Sequence, residues 1–204
     1  MNLIDQLVLL ATGLIAIYLI WRFYGRYAQN RAVYEIYYLG GFVVLLVSGL
    51  LLIFMGYEIL ASPYVLTVAT LIPLGISIGL VIQFLPNWSR AYRWFALLGF
   101  LAIAFTSIGG SDLKTIAVPL FHGVAGLIIF LSPFWLVSNE KAPKGFWWVG
   151  VGGALIGLGG IALSFLTVGS QLLFLSQEVV LMILAPLLLL MTLSFALGFA
   201  RDLG

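Results

Sequence analysis

This sequence has no cysteine and very little charge. Only 8% of its 204 residues are charged, whereas 63% are hydrophobic and the mean hydropathy is +1.20. Soluble domains carry about 25% charged residues and about 45–50% apolar ones. Because so little charge cannot cover so much apolar surface in water, we expect an integral membrane protein along the whole chain.

The missing residue types also exclude several kinds of chemistry. Without cysteine there is no disulfide, thiolate metal site or cysteine nucleophile. His122 is the only histidine, no apolar segment contains a pair of carboxylates, and no glycine-rich loop ends in the lysine of a phosphate-binding loop. Nine basic residues spread over the chain do not make a nucleic-acid surface. The sequence therefore predicts no catalytic residue, no metal site and no nucleic-acid partner.

Seven apolar segments are long enough to be read as membrane spans. A spanning helix needs about 20 mostly apolar residues to cross a hydrocarbon core of roughly 30 Å. The segments are about 3–21, 36–57, 64–85, 94–110, 115–135, 146–168 and 179–200. Apart from Asp5 none contains an acidic or basic residue, and the longest connection is 22–35. We therefore predict one all-α domain, residues 1–204, forming a seven-helix transmembrane bundle.

The basic residues predict how this bundle is oriented. Every Lys and Arg except Lys114 falls in the first, third or fifth connection or in the C-terminal tail. Four of the acidic residues, Asp5, Glu58, Asp112 and Glu178, fall on the side of Lys114. Since cytoplasmic loops carry an excess of Lys and Arg, the N-terminus is predicted outside and the C-terminus in the cytoplasm. We expect a prokaryotic cytoplasmic membrane.

All the tryptophans are predicted at the cytoplasmic ends of helices. Indole rings favour the headgroup region, where an apolar ring and an N–H are both accommodated. Anchoring to membrane lipids explains this placement, and a partner on the cytoplasmic side is the alternative. The anchors are Trp21, Trp88, Trp94, Trp135, Trp147 and Trp148.

A proline recurs in the three helices predicted to run inward. Pro73, Pro119 and Pro186 each lie about 15 residues before the predicted inner boundary, which places them at one depth, ~22–24 Å along a helix. The helix before each begins with aromatic residues and ends near glycine. We interpret helices 2–3, 4–5 and 6–7 as three copies of one hairpin, with helix 1 added. Chance likeness between leucine-rich helices is the alternative.

Glycine spacing predicts close helix packing. Gly75 and Gly79 form one small-xxx-small pair, and Gly153 and Gly157 form another. Such pairs let helix backbones approach closely in lipid. The sixth predicted helix carries glycine on several faces, which favours contact on more than one side. A flexible gating helix is the alternative.

His122 is the one titratable residue well inside a predicted span, and such a residue is a functional-site hypothesis by default. The favoured interpretation is a neutral histidine hydrogen-bonded to a neighbouring helix. A proton or solute contact in a transport path is one alternative. An axial ligand to haem or chlorophyll is a minor one, and no other cofactor is predicted.

These observations favour a non-catalytic integral subunit or scaffold of a larger membrane assembly. Its expected partners are lipids together with other membrane subunits or further copies of the chain. A small transporter or channel for a neutral or weakly polar solute, with His122 in the path, is the first alternative. A membrane sensor acting through a separate cytoplasmic partner is the second.

Overall fold

The structure is a computed structural model that describes residues 1–167 and 176–200, without the side chains of 162–167 and 177. Helices make up most of these residues, and no β-strand occurs among them. In chain order the helices are α1 (Leu3–Asn30), α2 (Val33–Met55), α3 (Pro63–Ala69), α4 (Leu71–Phe84), α5 (Ser89–Ile108), α6 (Lys114–Ser138), α7 (Trp147–Thr167) and α8 (Gln177–Phe199).

Six helical segments are long and apolar enough to cross a membrane. They are Leu3–Asn30, Val33–Met55, Pro63–Phe84, Pro86–Ile108, Lys114–Ser138 and Glu178–Phe199. The prediction of an all-α, multi-pass membrane protein is confirmed to this extent. Helix α7 has 21 residues, but part of the span predicted at 146–168 lies outside the described residues. A seventh span there stays a prediction.

The first helix is longer than its predicted span. Residues 22–35 were expected to form the longest connection, and this was wrong, because α1 continues to Asn30 and only Arg31 and Ala32 separate it from α2. Arg31 ends the helix in the left-handed conformation, with φ of 54° and its N–H bonded to the Tyr27 carbonyl at 2.9 Å. At about 1.5 Å per residue, α1 is roughly 42 Å long and exceeds the hydrocarbon core.

The segment Pro63–Phe84 is interrupted at one residue, Thr70, between α3 and α4, although Thr70 keeps helical backbone angles. Pro73 has no N–H to donate to the Ala69 carbonyl, and its ring crowds that carbonyl. The Thr70 hydroxyl donates to the Thr67 carbonyl at 2.7 Å. Pro119 and Pro186 lie inside α6 and α8, each of which is one continuous helix. The three prolines therefore share a sequence position but not a local structure.

Six of the helices close a ring. Its order is α1, α2, α4, α6, α7 and α8, and α8 packs against α1 again. Helix α5 packs against α3, α4 and α6, outside this ring. At one end, buried aromatic rings join the first two helices to α8, with centroids 4.9 to 6.3 Å apart. These rings are Phe23, Tyr38, Phe42, Phe195 and Phe199. These aromatic contacts hold α1 and α2 against α8, where the ring of helices closes.

Candidate functional site

His122 lies where α6 crosses α7. A Cβ atom at Gly160 of α7 would overlap the imidazole Nε2, Cδ2 and Cε1 atoms. The histidine therefore occupies the volume that any other residue at position 160 would need. The facing glycine was visible in the sequence, but spacing along the chain cannot show that positions 122 and 160 meet.

The Nε2 atom of His122 is buried and has no hydrogen-bond partner among the described residues. The backbone of Ile156, one turn before Gly160, interacts with the imidazole ring without forming a hydrogen bond to Nε2. Buried polar atoms are nearly always paired. Nε2 is therefore a buried polar atom at this crossing of helices whose hydrogen-bond partner is not found among the described residues.

Two spaces meet at this histidine. The first is a cavity of about 120 Å³ inside the ring, bounded by α2, α4, α6, α7 and α8. Among the described residues its lining is aliphatic apart from Ser48 and His122. The second is a groove of about 440 Å³ on the outer surface between α6 and α7. His122 and Gly160 line both spaces, so together they form the wall between the interior and the outer surface of the bundle.

Glycine forms much of the floor of the outer groove, which we call the α6/α7 groove. Gly123 of α6 and Gly157 of α7 have nothing within 4 Å of the position where a Cβ would stand. Leu127 and Leu158 form its walls and are 56% and 60% exposed. The groove is therefore open, apolar and shallow enough for another backbone to approach.

The predicted packing glycines have different surroundings. A Cβ at Gly75 would lie 2.8 Å from the Tyr37 carbonyl oxygen of α2, and one at Gly79 would overlap the Tyr38 ring. A Cβ at Gly153 would lie 2.6 Å from backbone atoms of α6, whereas Gly157 opens onto the α6/α7 groove. Side chains at three of these four glycines would therefore collide with a neighbouring helix, whereas a side chain at Gly157 would point into the groove.

Helix α7 uses glycine on two faces. Besides the face toward α6, a Cβ at Gly152 would lie 2.6 Å from the Phe195 ring of α8, and one at Gly159 would lie 3.1 Å from Leu187. The helix is thus held closely on both sides within the ring.

Four of the six tryptophans lie at or beside helix ends, whereas Trp21 and Trp94 lie further inside α1 and α5. Trp21 is nine residues before the end of α1, because that helix continues beyond its predicted span. Trp21, Trp88 and Trp94 are each more than 60% exposed. Trp147 and Trp148 open α7 and stack on each other at 4.2 Å, and Trp135 lies in the last turn of α6. The exposed rings are available to an interface with lipid or a partner.

The sequence analysis missed a buried ion pair. Arg26 Nε of α1 donates to Glu35 Oε1 of α2 over 2.8 Å, and the Glu35 side chain is fully buried. The Asn30 amide reaches the same oxygen at 3.5 Å, while Oε2 has no partner among the described residues. Position 35 was assigned to a loop, where an acid would be solvated. One feature of the sequence could have indicated that Glu35 is buried: it lies between aromatic residues at the start of an apolar run.

His122 is the residue that the sequence offers as a possible axial ligand for haem or chlorophyll. Within residues 1–167 and 176–200, no three His, Asp or Glu side chains come together. Nε2, one of the two ring nitrogens that can ligate a metal, faces the backbone of α7 at Gly160. A haem or chlorophyll bound through Nε2 would require the imidazole to turn away, so axial ligation stays a prediction of the sequence alone.

Comparisons with models of known families, with curated proteins and with solved structures find no match to this chain.

The contact between His122 and Gly160 predicts a strong energetic coupling. Gly160→Ala is expected to lower the free energy of unfolding by about 1–3 kcal/mol, because the added methyl group overpacks a filled site. In an H122A background the same change should cost less, leaving a coupling energy of at least about 1 kcal/mol. Unfolding of the four variants in detergent measures this cycle. Gly123→Ala, which meets nothing within 4 Å, is the control, and equal costs of Gly160→Ala in both backgrounds would contradict the contact.

Proposed function

We propose that this chain is a non-catalytic subunit or scaffold of a larger membrane assembly. A transmembrane helix, from another subunit or from a second copy, packs into the α6/α7 groove. The observation that carries the proposal is the open floor of this groove, where a Cβ at Gly123 or Gly157 would meet nothing within 4 Å. In a bilayer, helices associate through van der Waals contact between closely approaching backbones, and small residues permit that approach.

The interior of the bundle supports the same proposal. A pathway for polar solutes is lined by hydrogen-bonding or charged groups. The cavity inside the ring is only about 120 Å³, and Ser48 and His122 are its polar side chains. Such an interior suits a structural core better than an aqueous path.

A second candidate is a small transporter for a neutral or weakly polar solute. It is favoured by one observation, that His122 borders both the interior cavity and the α6/α7 groove. A solute entering from the membrane between α6 and α7 would pass this side chain. Replacing His122 with Ala should then abolish flux into liposomes, and unchanged flux removes the histidine from the path.

We further propose that α7 completes seven spans, arranged as α1 plus three hairpins, with the N-terminus outside a prokaryotic cytoplasmic membrane. Contacts between α2 and α4, α5 and α6, and α7 and α8 support the hairpins. The absence of native cysteine makes the orientation simple to test. Asp112→Cys should react with an impermeant maleimide in intact cells, and Asn139→Cys only after permeabilisation. The reverse pattern would contradict the orientation.

Filling the α6/α7 groove is expected to break the assembly. The double variant G123L/G157L adds side chains at two positions whose Cβ would meet nothing within 4 Å, so it should fold but exclude a partner helix. We expect the wild type, extracted from native membranes, to elute as a defined larger complex. The variant should form at least about tenfold less of that complex, which corresponds to a loss of about 1.4 kcal/mol in the free energy of association. Light scattering after size-exclusion chromatography measures the mass.

The matched control is Gly25→Leu in α1, which also meets nothing within 4 Å and lies away from the groove. It should keep the full complex. A wild-type monomer that moves solute in liposomes would overturn the proposed function, as would a complex that G123L/G157L leaves intact.

A further inference from the structure

Another groove lies between α2 and α5, with α4 at its base. We call it the α2/α5 groove, and its volume is about 660 Å³. Its α2 side includes Gly40 and Gly41, and its α5 side includes Trp94, Leu97 and Phe100. Pockets of about 300–1,000 Å³ are the size that small ligands occupy in proteins. The α2/α5 groove is therefore large enough for one chain of an amphiphile.

The packing of the neighbouring helices explains why this groove exists. Helices α2 and α4 approach closely, because a Cβ at Gly75 would lie 3.2 Å from the Gly41 nitrogen. Helix α5 packs on α3, α4 and α6, so α2 and α5 stand on either side of α4. Gly40 has nothing within 4 Å of its Cβ position, which leaves the α2 side of the groove without a filling side chain.

Two arginines mark one end of the groove. Arg90 and Arg93 both line it and are both exposed. Arg93 Nε donates to the Ser89 carbonyl at 3.3 Å, which leaves the terminal nitrogens of that guanidinium for another acceptor. No acidic residue lines the groove, and within the described chain neither arginine forms an ion pair. This end therefore has a net positive charge that the groove itself does not neutralise.

The length of the groove matches one leaflet of a membrane. From Arg90 to Phe100 the helix rises roughly 15 Å, which is half of a hydrocarbon core of roughly 30 Å. Exposed Trp94 lies between the charged end and the apolar end, where an indole ring suits the headgroup boundary. Along the groove, the two arginines, the tryptophan at the headgroup boundary and the apolar end thus follow in the same order as the headgroup and the acyl chain of a phospholipid.

We infer that the α2/α5 groove binds one anionic phospholipid from the leaflet on the basic side of the protein. Its phosphate contacts Arg90 and Arg93, since guanidinium groups bind phosphate through paired N–H donors. One acyl chain lies along Gly40, Leu97 and Phe100. Basic pockets between transmembrane helices on the cytoplasmic side bind anionic headgroups in this way. The inference does not depend on the proposed assembly, because the α6/α7 groove is a different surface.

Native mass spectrometry of the full chain can test this inference. The protein is purified in mild detergent, depleted of lipid and titrated with dioleoylphosphatidylglycerol or dioleoylphosphatidylcholine. The wild type should bind one phosphatidylglycerol in preference to phosphatidylcholine. Since each basic residue near the surface contributes about fivefold, R90Q/R93Q should weaken phosphatidylglycerol binding by on the order of 30-fold.

Two further variants separate the groove from net charge. K141Q/K144Q removes the same charge from another connection and should leave phosphatidylglycerol binding unchanged. Gly40→Leu fills the apolar channel while keeping both arginines, and it should lower binding at least about tenfold. Inorganic phosphate at millimolar concentration should not displace the lipid, because the acyl chain supplies part of the affinity.

Several results would overturn the inference. Equal binding by the wild type and R90Q/R93Q would remove the arginines from the site, and equal loss in K141Q/K144Q would show an effect of net charge alone. Full binding by Gly40→Leu would remove the acyl chain from the groove. Displacement by inorganic phosphate would identify an anion site instead of a lipid site.

Discussion

Replacing Glu35 with Ala is expected to lower the free energy of unfolding by about 3–5 kcal/mol. The Glu35 side chain is fully buried and pairs with Arg26, whose side chain is 17% exposed. Removing the carboxylate leaves the guanidinium in the bundle without the charge that compensates it, which is costly. Unfolding of the purified protein in mixed detergent micelles measures the change.

Two further variants distinguish the loss of the ion pair from the loss of any acidic residue. Glu58→Ala removes an exposed carboxylate and should change stability by no more than about 0.5 kcal/mol. R26L/E35L removes both charges and should recover most of the loss, because apolar groups of similar volume often replace a buried pair at little cost. If E35A unfolds like the wild type, the pair is not structural.

Replacing Gly153 with Ala is expected to lower stability by about 3 kcal/mol, near the upper end of the usual cost of overpacking. The added Cβ would lie 2.6 Å from the Ile129 carbonyl carbon and 2.6 Å from the Phe130 nitrogen. These are backbone atoms, so no side-chain rotation relieves the overlap, and α6 must move away from α7.

Gly157→Ala is the matched control for this prediction. It lies four residues later on the same helix, and its Cβ would meet nothing within 4 Å. The control should differ from the wild type by less than about 0.5 kcal/mol. Similar effects of the two substitutions would mean that α6 and α7 do not cross as the structure shows.

The helical architecture was predictable because it follows from local composition. Long apolar runs with almost no charge have one spanning form open to them, and six such helices were found. The positions of breaks were less predictable. Pro73 follows a one-residue interruption at Thr70, whereas Pro119 lies in one continuous helix.

The candidate site could be predicted only in part, for a similar reason. His122 stood out as the lone ionisable residue of a span, but its contact with Gly160 joins two helices. Glu35 escaped notice because its partner Arg26 lies across a helix connection that was expected to be a longer loop. Gly153 and Gly157 look identical in spacing, and only the path of α6 distinguishes them. Each of these features depends on which side chains meet after the helices have packed.

The ring of helices also determines the order in which the protein can assemble during synthesis. The hydrogen bond from Arg22 Nη2 to the Ala200 carbonyl, 2.6 Å long, joins residues 178 positions apart. Phe23 and Phe42 likewise meet Phe199 only when α8 arrives. Until α8 packs against α1, the ring of helices is open on that side, and Phe23 and Phe42 lack the ring of Phe199. Completion of α8 is thus the step that turns a set of inserted helices into a closed protein.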